Sequence, residues 1–455
     1  MRILDSTDFL LKLLNIENHS ISSQPITDVQ IDSRLVKSGT LFFGLQGNNV
    51  NGSDYAQDAI NRGASCVISN NLDKSLDEKY HLFHQSPIEL LQFVAKALAK
   101  NFNGTKLGIT GSNGKTTVKN LLSELIEDAY SSSGNFNNEI GLPLSILDLP
   151  VNANVGIFEM GAGQPGDIKF LSEILSPSIG IITSIGRSHL ERLGSEEGVL
   201  RVKSELIENI QSGGTAIIPH GKYEQYWKSI RSDIDFITFG FDKDADFQAK
   251  IISQTHQNCS FEIKDNLNQL QQKLSSPLLG THNVLNVLIA FIASQILGQE
   301  HTFFKTKLKK FKNFENRLSP RSWINKSIII NDSYNANPES FSAGVDSLNL
   351  FEGRKIIILG DMLELGNDSK LFHEEAGHYA LNAGIESLFS FGNHSKYASM
   401  VFGKNGKHFD DENELKLFIK NNISSGDLVY IKGSRGMKME RFIDDLAAWT
   451  LFSSF

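Results

Sequence analysis

Residues 106–129 read KLGITGSNGKTTVKNLLSELIEDA and bring together the residue types that hold a nucleoside triphosphate. Gly111 and Gly114 allow a tight loop, and the stretch Gly111, Ser112, Asn113, Gly114, Lys115, Thr116 and Thr117 can wrap phosphate oxygens. Lys115 is suited to neutralise β- and γ-phosphate charge, and the Thr116 hydroxyl to ligate Mg²⁺. Residues 106–110 read as a short strand. Beyond the loop, Val118, Leu121, Leu122, Leu125, Ile126 and Ala129 recur at helical spacing, so a helix begins at the loop and aims its positive dipole end at the loop's contents. The standard phosphate-loop pattern asks for glycine where this chain has Ile109, which makes the loop the shorter T-G-x-x-G-K-T-T form. ATP-dependent chemistry is the expectation.

Such a site also needs ligands that fix Mg²⁺ against the phosphates. Glu159 in IFEMGAG and His189 in SIGRSHLE each follow a strand-like run and offer a carboxylate and an imidazole. Read alone, Glu159 serves equally as a helix-capping carboxylate and His189 as a surface histidine. HEEAGHYA (373–380) invites a metalloprotease reading, but His373 and His378 are five residues apart where the zinc helix motif needs four. That segment is expected to be a plain helix. Cys66 and Cys259 have no neighbour at metal-ligand spacing and suit a reducing compartment.

The elements that must position these groups follow an α/β rhythm. Apolar runs at 155–160, 179–185, 327–333, 355–360 and 427–433 alternate with amphipathic segments, the pattern of parallel sheets covered on both faces. Earlier, 40–45 and 65–69 are strand-like, with Tyr55, Ala59 and Ile60 at helical spacing between them. Residues 242–276 are polar and break the rhythm as a hairpin excursion. Lys115, Glu159, His189, Asp332, Asp361 and Arg435 all fall near the C-terminal ends of strands, where open α/β sheets bind ligands. A chain of 455 residues exceeds one ordinary core. Cuts near residues 103 and 314 give three domains, the second placed after the basic stretch KLKKFKNFENR. A net charge of −8 argues against a nucleic-acid partner. The N-terminus carries Asp5 and Asp8 ahead of its apolar residues, unlike a signal peptide, and the longest apolar stretch, 284–297, reads as a core helix rather than a membrane span. A cytoplasmic enzyme without membrane insertion is expected.

The motifs GITGSNGKTT, GNFNNEIGLP, EMGAG, IGRSHLE, RVKSEL, GTHNVLN and NDSYNANP occur together in an order and spacing that resemble the Mur ligase family across nearly the whole chain. LGDMLELG, HEEAGHYA and KGSRGMKMER resemble its branch that joins D-alanyl-D-alanine (D-Ala-D-Ala) to UDP-N-acetylmuramoyl-tripeptide (UDP-MurNAc-tripeptide). The resemblance implies a small α/β UDP-substrate domain (1–103), a central parallel-sheet domain like the P-loop ATPases (104–314) and a Rossmann-like C-terminal α/β domain (315–455). It implies a monomer that closes around ATP and two Mg²⁺ ions, and an acyl-phosphate intermediate.

The resemblance also implies that Lys203 in RVKSEL is N6-carboxylated, turning an ammonium that would repel Mg²⁺ into an anionic oxygen ligand. Thr116 and Glu159 then serve one Mg²⁺, His189 and carboxylated Lys203 the other. Lys115, Lys203 and His189 become the catalytic set. Asn283 contacts adenine, Asp332 holds ribose, and Arg317, Tyr334, Asn335 and Asn337 line the nucleotide or acceptor side; Asn337 serves equally as a turn residue before Pro338. Ser33 and Arg34 lie near UDP, and Asn137 and Asn138 near the muramoyl-peptide. Many relatives carry histidine where this chain has Ser53, so position 53 is open. Two other readings stand. The ligase adding the third amino acid carries, in its diaminopimelate-specific form, a D-N-P-R motif for which this chain has FGNHSK (391–396). An ATP-hydrolysing switch or scaffold would need the loop but not Lys203 or His189.

Overall fold

A computed structural model describes residues 2–73, 75–312 and 316–452, with the backbone alone for 447–452. Its contacts group into two compact units, one of residues 1–111, 115–182 and 202–237, the other of 112–114, 183–201 and 238–455.

The first unit opens with a four-stranded parallel sheet in the order β1 (Asp28–Gln30), β2 (Thr40–Phe43), β3 (Cys66–Ser69) and β4 (His81–Phe83). β2 and β3 are buried at every position, as their unbroken apolar runs require. The helical spacing read at 55–60 becomes a helix over Ala56–Asn61; Ala56 and Ala59 face inward, whereas Tyr55 is exposed. The helix Pro87–Asn101 starts on a proline that needs no hydrogen-bond acceptor and buries Leu90, Leu91, Val94, Ala95 and Leu98 on one face.

Next come β5 (Thr105–Thr110), β6 (Ala129–Ser131), β7 (Val155–Glu159), β8 (Ile179–Ile182) and β9 (Thr215–Pro219), all parallel in the order β6-β7-β5-β8-β9. From β5 the chain builds β6 and β7 on one side, then returns to lay β8 on the other. This reversal is a topological switch point, and the strand C-termini beside it form the ligand crevice of such sheets. The helix after the loop runs over Lys115–Leu125 and stops short of Ala129, which instead opens β6 after Asp128 in the left-handed region. Of the six apolar residues that follow the helical period, four lie in the helix, Ile126 falls just beyond it and Ala129 belongs to β6. The strand readings at 155–160, 179–185 and 427–433 are likewise trimmed by one to three residues where the backbone turns into loops.

The chain passes into the second unit within β10 (Asp235–Gly240). β11 (Phe247–Gln254), β12 (Cys259–Asp265) and β13 (Leu270–Ser276) form an antiparallel meander, one strand more than the expected hairpin. Burial alternates along β12, so its polar half faces solvent and breaks the apolar rhythm. The helix Thr281–Ile296 is buried on nearly all sides, as its long apolar run implies. The last sheet has the order β14 (Ser319–Ser322), β15 (Ile328–Asp332), β19 (Leu428–Lys432), β16 (Lys355–Gly360), β17 (Ser387–Phe391) and β18 (Gly406–Phe409), parallel except for the edge strand β14. Odd and even positions feed separate cores, Ile330, Ile357 and Tyr430 on one face and Ile329, Ile358 and Ile431 on the other. The expected cut at 314 falls at 313–315, outside the described residues.

Candidate active site

In the first unit the site is built on the end of β7. Glu159 is almost fully buried, and both its oxygens are engaged: Thr116 Oγ1 donates to Oε2 at 2.8 Å and Asn137 Nδ2 to Oε1 at 2.9 Å. The helix N-terminus at Lys115, the strand end and the loop 132–138 therefore meet at one carboxylate. That loop is anchored by Lys119, one turn along the same helix, whose buried Nζ donates to the carbonyls of Ser132 and Gly134 at 2.8 and 2.7 Å. Lys115 Nζ donates to the Gly111 carbonyl at 2.7 Å.

Lys203 stands apart from these. Its side chain is wholly buried in the helix Glu196–Glu208, and its Nζ has no hydrogen-bond partner among the described residues. Burial, reinforced by the charge of Lys115 and only partly opposed by Glu159, Asp167 and Glu205, brings the amine down to about 7. An amine of that kind is about half neutral near pH 7, and its neutral form is nucleophilic toward CO₂. Carboxylation would convert the repulsion between Lys115 and Lys203 into attraction. A hydroxyl, a carboxylate and a carbamate are also the hard oxygen donors that Mg²⁺ prefers, so these residues fit the implied metal.

In the second unit Ser112, Asn113 and Gly114 are held by the residues after β8 and by the helix Thr281–Ile296. Ser112 N–H donates to Ser184 O and Asn113 N–H to Ser184 Oγ, each at 2.9 Å, while Ser112 Oγ donates to Gly186 O at 3.0 Å. Those two amides are thus used within the protein. Gly114 has positive φ, and a Cβ there would fall 2.5 Å from Asn286 Oδ1, so only glycine fits. Asn286 Nδ2 in turn donates to Asn283 Oδ1 at 2.8 Å, and Asn283 Nδ2 to Leu279 O at 2.6 Å. Asn337 proves to be both a turn residue and a loop contact. Its Oδ1 caps the helix Pro338–Leu348, and its Nδ2 donates to Asn113 Oδ1 at 2.9 Å.

His189, at φ 55°, pairs through Nδ1 with Glu364 Oε2 at 2.6 Å, and that hydrogen bond lowers the Glu364 carboxyl. Arg187 bonds Glu339 at 2.7 Å and Glu375 at 3.0 Å and lies over the Phe372 ring. Asp332 ends β15 and accepts from Tyr430 and Lys432 of β19. The Arg317 guanidinium stacks 3.9 Å from the Tyr334 ring centroid, and the exposed Asn335 offers its carbonyl to Lys432.

The N-terminal residues are less assembled. Ser33 is buried, and Arg34 is exposed and clipped to Asp32 at 2.6 Å. Asn138 Oδ1 accepts from Gly141 N–H at the start of the helix Gly141–Leu147. Ser53 is buried, donates to Gly44 O at 2.8 Å and accepts from Asn70 N–H, which makes it a structural residue of its turn. In the helix Ser369–Asn382, His373 donates from Nδ1 to Ser369 O and accepts Met362 N–H at Nε2, so both ring nitrogens are spoken for. Sequence reasoning passed over Lys119, Arg187, Glu364, Tyr430 and Lys432. A signal existed for Lys432, a cation ending a strand that is otherwise apolar.

A parallel-sheet crevice, a glycine loop and a carboxylate at the neighbouring strand end define an α/β protein of the phosphate-loop type. The family descriptions "Mur ligase family, catalytic domain", "Mur ligase middle domain" and "Mur ligase, glutamate ligase domain" match residues 25–99, 109–294 and 316–435. The chain belongs to the Mur ligase family. It is 32% identical over 95% of its length, and 95% of theirs, to the UDP-N-acetylmuramoyl-tripeptide–D-alanyl-D-alanine ligase of Bacillus subtilis. It is 30% identical, over 96% of this chain and 95% of the other, to the Haemophilus influenzae ligase of the same name. Among solved structures, the MurF ligase of Thermotoga maritima in complex with ADP superposes with a TM-score of 0.82 at 26% identity, covering 94% of this chain and 98% of that one. No helix among the described residues is long and apolar enough to cross a membrane.

Proposed function

We propose that this chain is an ATP-dependent amide ligase that adds D-alanyl-D-alanine to UDP-MurNAc-tripeptide, forming ADP and phosphate, in cytoplasmic peptidoglycan precursor synthesis. The observation that carries the reading is Glu159 held between Thr116 and Asn137 in the same compact unit as a buried Lys203 whose Nζ has no hydrogen-bond partner among the described residues. A nucleotide-hydrolysing switch has no use for such a lysine. The names of the full-length relatives support the substrate pair, and the ADP complex of the Thermotoga maritima relative supports ATP.

In this reading the tripeptide carboxylate attacks the γ-phosphorus, its oxygen bonds to phosphorus, and ADP departs. The amine of D-Ala-D-Ala then attacks the acyl carbon, the C–O bond to phosphate breaks, and the amine proton is lost as the amide forms. Carboxylate and triphosphate are both anions, so the protein must supply positive charge and fixed geometry. Lys115 and the N-terminal amides of its helix supply the charge. Bound Mg²⁺ would screen the phosphates, held by Thr116 and Glu159 at one position and by His189 and carboxylated Lys203 at the other. Lys203 gains its carboxylate when its lone pair attacks CO₂ and the ammonium proton passes to solvent.

We assign Asn283 to adenine, Asp332 to ribose, Arg317 and Tyr334 to a stacking platform, and Asn335 and Asn337 to the acceptor side. Ser33 and Arg34 face UDP, and Asn137 and Asn138 the muramoyl-peptide. The corresponding domains are 1–103, 104–314 and 315–455, in a monomer acting on small molecules. The test is phosphate release with ATP, UDP-MurNAc-tripeptide and D-Ala-D-Ala, each omitted in turn, with mass spectrometry of the product. Release that needs all three, and a product heavier by the dipeptide less water, is expected. Release from ATP alone, or a single amino acid joined to the dipeptide precursor, would overturn the reading.

A further inference from the structure

The two oxygens of Asp332 are held unequally. Oδ2 accepts from the Tyr430 hydroxyl at 2.8 Å and from Lys432 Nζ at 2.5 Å, whereas Oδ1 takes the backbone N–H of Leu318 at 3.3 Å. β15 and β19 run parallel with Asp332 opposite Lys432, and Tyr430 lies two residues earlier on the same face, so both side chains reach one oxygen. Lys432 Nζ also donates to Asn335 O at 3.0 Å, tying the carboxylate to the loop after β15. Space for the Tyr430 hydroxyl is made by Gly344, in the middle of the helix Pro338–Leu348; a Cβ there would collide with it. Glycine at a helix interior is disfavoured, so its presence marks a close approach that the helix must accommodate.

We infer that Tyr430 and Lys432, with Gly344 making room for the tyrosine, are positioning residues that saturate Asp332 Oδ2 and present Oδ1 as the acceptor for a ribose hydroxyl of the nucleotide. The inference rests on the ribose role proposed for Asp332. The carboxylate is not turned by solvent because its inner oxygen is pinned from two directions, by a neutral donor and a cation. Loss of either the tyrosine hydroxyl or the space it occupies lets the carboxylate rotate and blunts its reading of the sugar.

Steady-state assays of the full-length enzyme with ATP, 2′-deoxyATP and 3′-deoxyATP test this. The unaltered enzyme is expected to favour ATP over one deoxy analogue by roughly tenfold in kcat/KM, the worth of a hydrogen bond to a charged acceptor. In Tyr430→Phe, and independently in Gly344→Ala, that ratio should fall below about threefold. Damage to the fold alone would lower both nucleotides together and leave the ratio standing. A ratio unchanged in either folded variant overturns the positioning roles. An unaltered enzyme that treats ATP and both deoxy analogues alike overturns the ribose reading of Asp332 and the inference with it, and is told apart because it appears before any substitution.

Discussion

Lys203 and Lys432 are both buried lysines, one in a helix of the first unit and one at a strand end of the second, and their surroundings are opposite. Lys432 has a carboxylate oxygen and a carbonyl on its Nζ. Lys203 has nothing on its Nζ among the described residues, and its nearby charges include a second lysine. Burying an ammonium is costly unless a counter-charge and hydrogen bonds offset the lost hydration. The paired lysine therefore serves as a fixed donor. The unpaired one is relieved by giving up its proton, and the neutral amine that results can be modified. One residue type, equally buried, is a fixed donor in one place and a candidate for modification in the other.

The sharpest way to break this contrast is to remove the unpaired lysine. Lys203→Ala should lower turnover by about 10²–10³, the scale of losing an electrostatic group at a reaction centre, and added short carboxylates should restore part of it. Full activity in the alanine variant would sink the carboxylation reading. Stability should move the other way. Lys432→Met leaves the Asp332 carboxylate without its cation and should cost about 3–5 kcal/mol in urea unfolding. Lys203→Met in CO₂-free buffer should cost nothing, and equal losses in the two would erase the distinction.

The pH dependence follows from the same amine. The folded-state value of Lys203 is lowered from 10.5 to about 7, so between those values the unfolded chain holds a proton that the folded chain has released. Its contribution makes CO₂-free enzyme more stable as pH rises from about 7 towards 10.5, and adds no slope below 7. Thermal melts of wild type and Lys203→Met at pH 7 and 9 should diverge in that direction; parallel shifts would count against it. A smaller loss than at Lys432 is expected at Trp227, whose indole N–H donates to Ser204 Oγ at 2.8 Å. Trp227→Phe removes the N–H and part of a fully buried ring, and should cost about 2 kcal/mol while leaving the Lys203 effects intact.

Much of the fold was legible because parallel strands buried on both faces leave unbroken Ile and Val runs, as at β8, β15 and β16. Boundaries were less so. Ala129 keeps the helical period of Val118–Leu125 yet starts β6, since period alone does not say where a backbone turns. For the site, the loop, Glu159 and Lys203 were reachable from local patterns or from resemblance. Glu364 beside His189, Tyr430 and Lys432 on Asp332, and Asn337 on Asn113 were not, because each pair is separated by long stretches of chain.

The α/β rhythm, the glycine-loop pattern of Gly111–Thr117 and the family were set by sequence alone, through short-range spacing that a single stretch of chain carries. Which buried lysine finds a partner was decided only by the tertiary structure. Lys203 lies in the mixed run RVKSEL and Lys432 ends the apolar run LVYIK, and neither setting says whether folding delivers a carboxylate from elsewhere. For Lys432 it brings Asp332 from the neighbouring strand, and for Lys203 it brings no partner at all among the described residues.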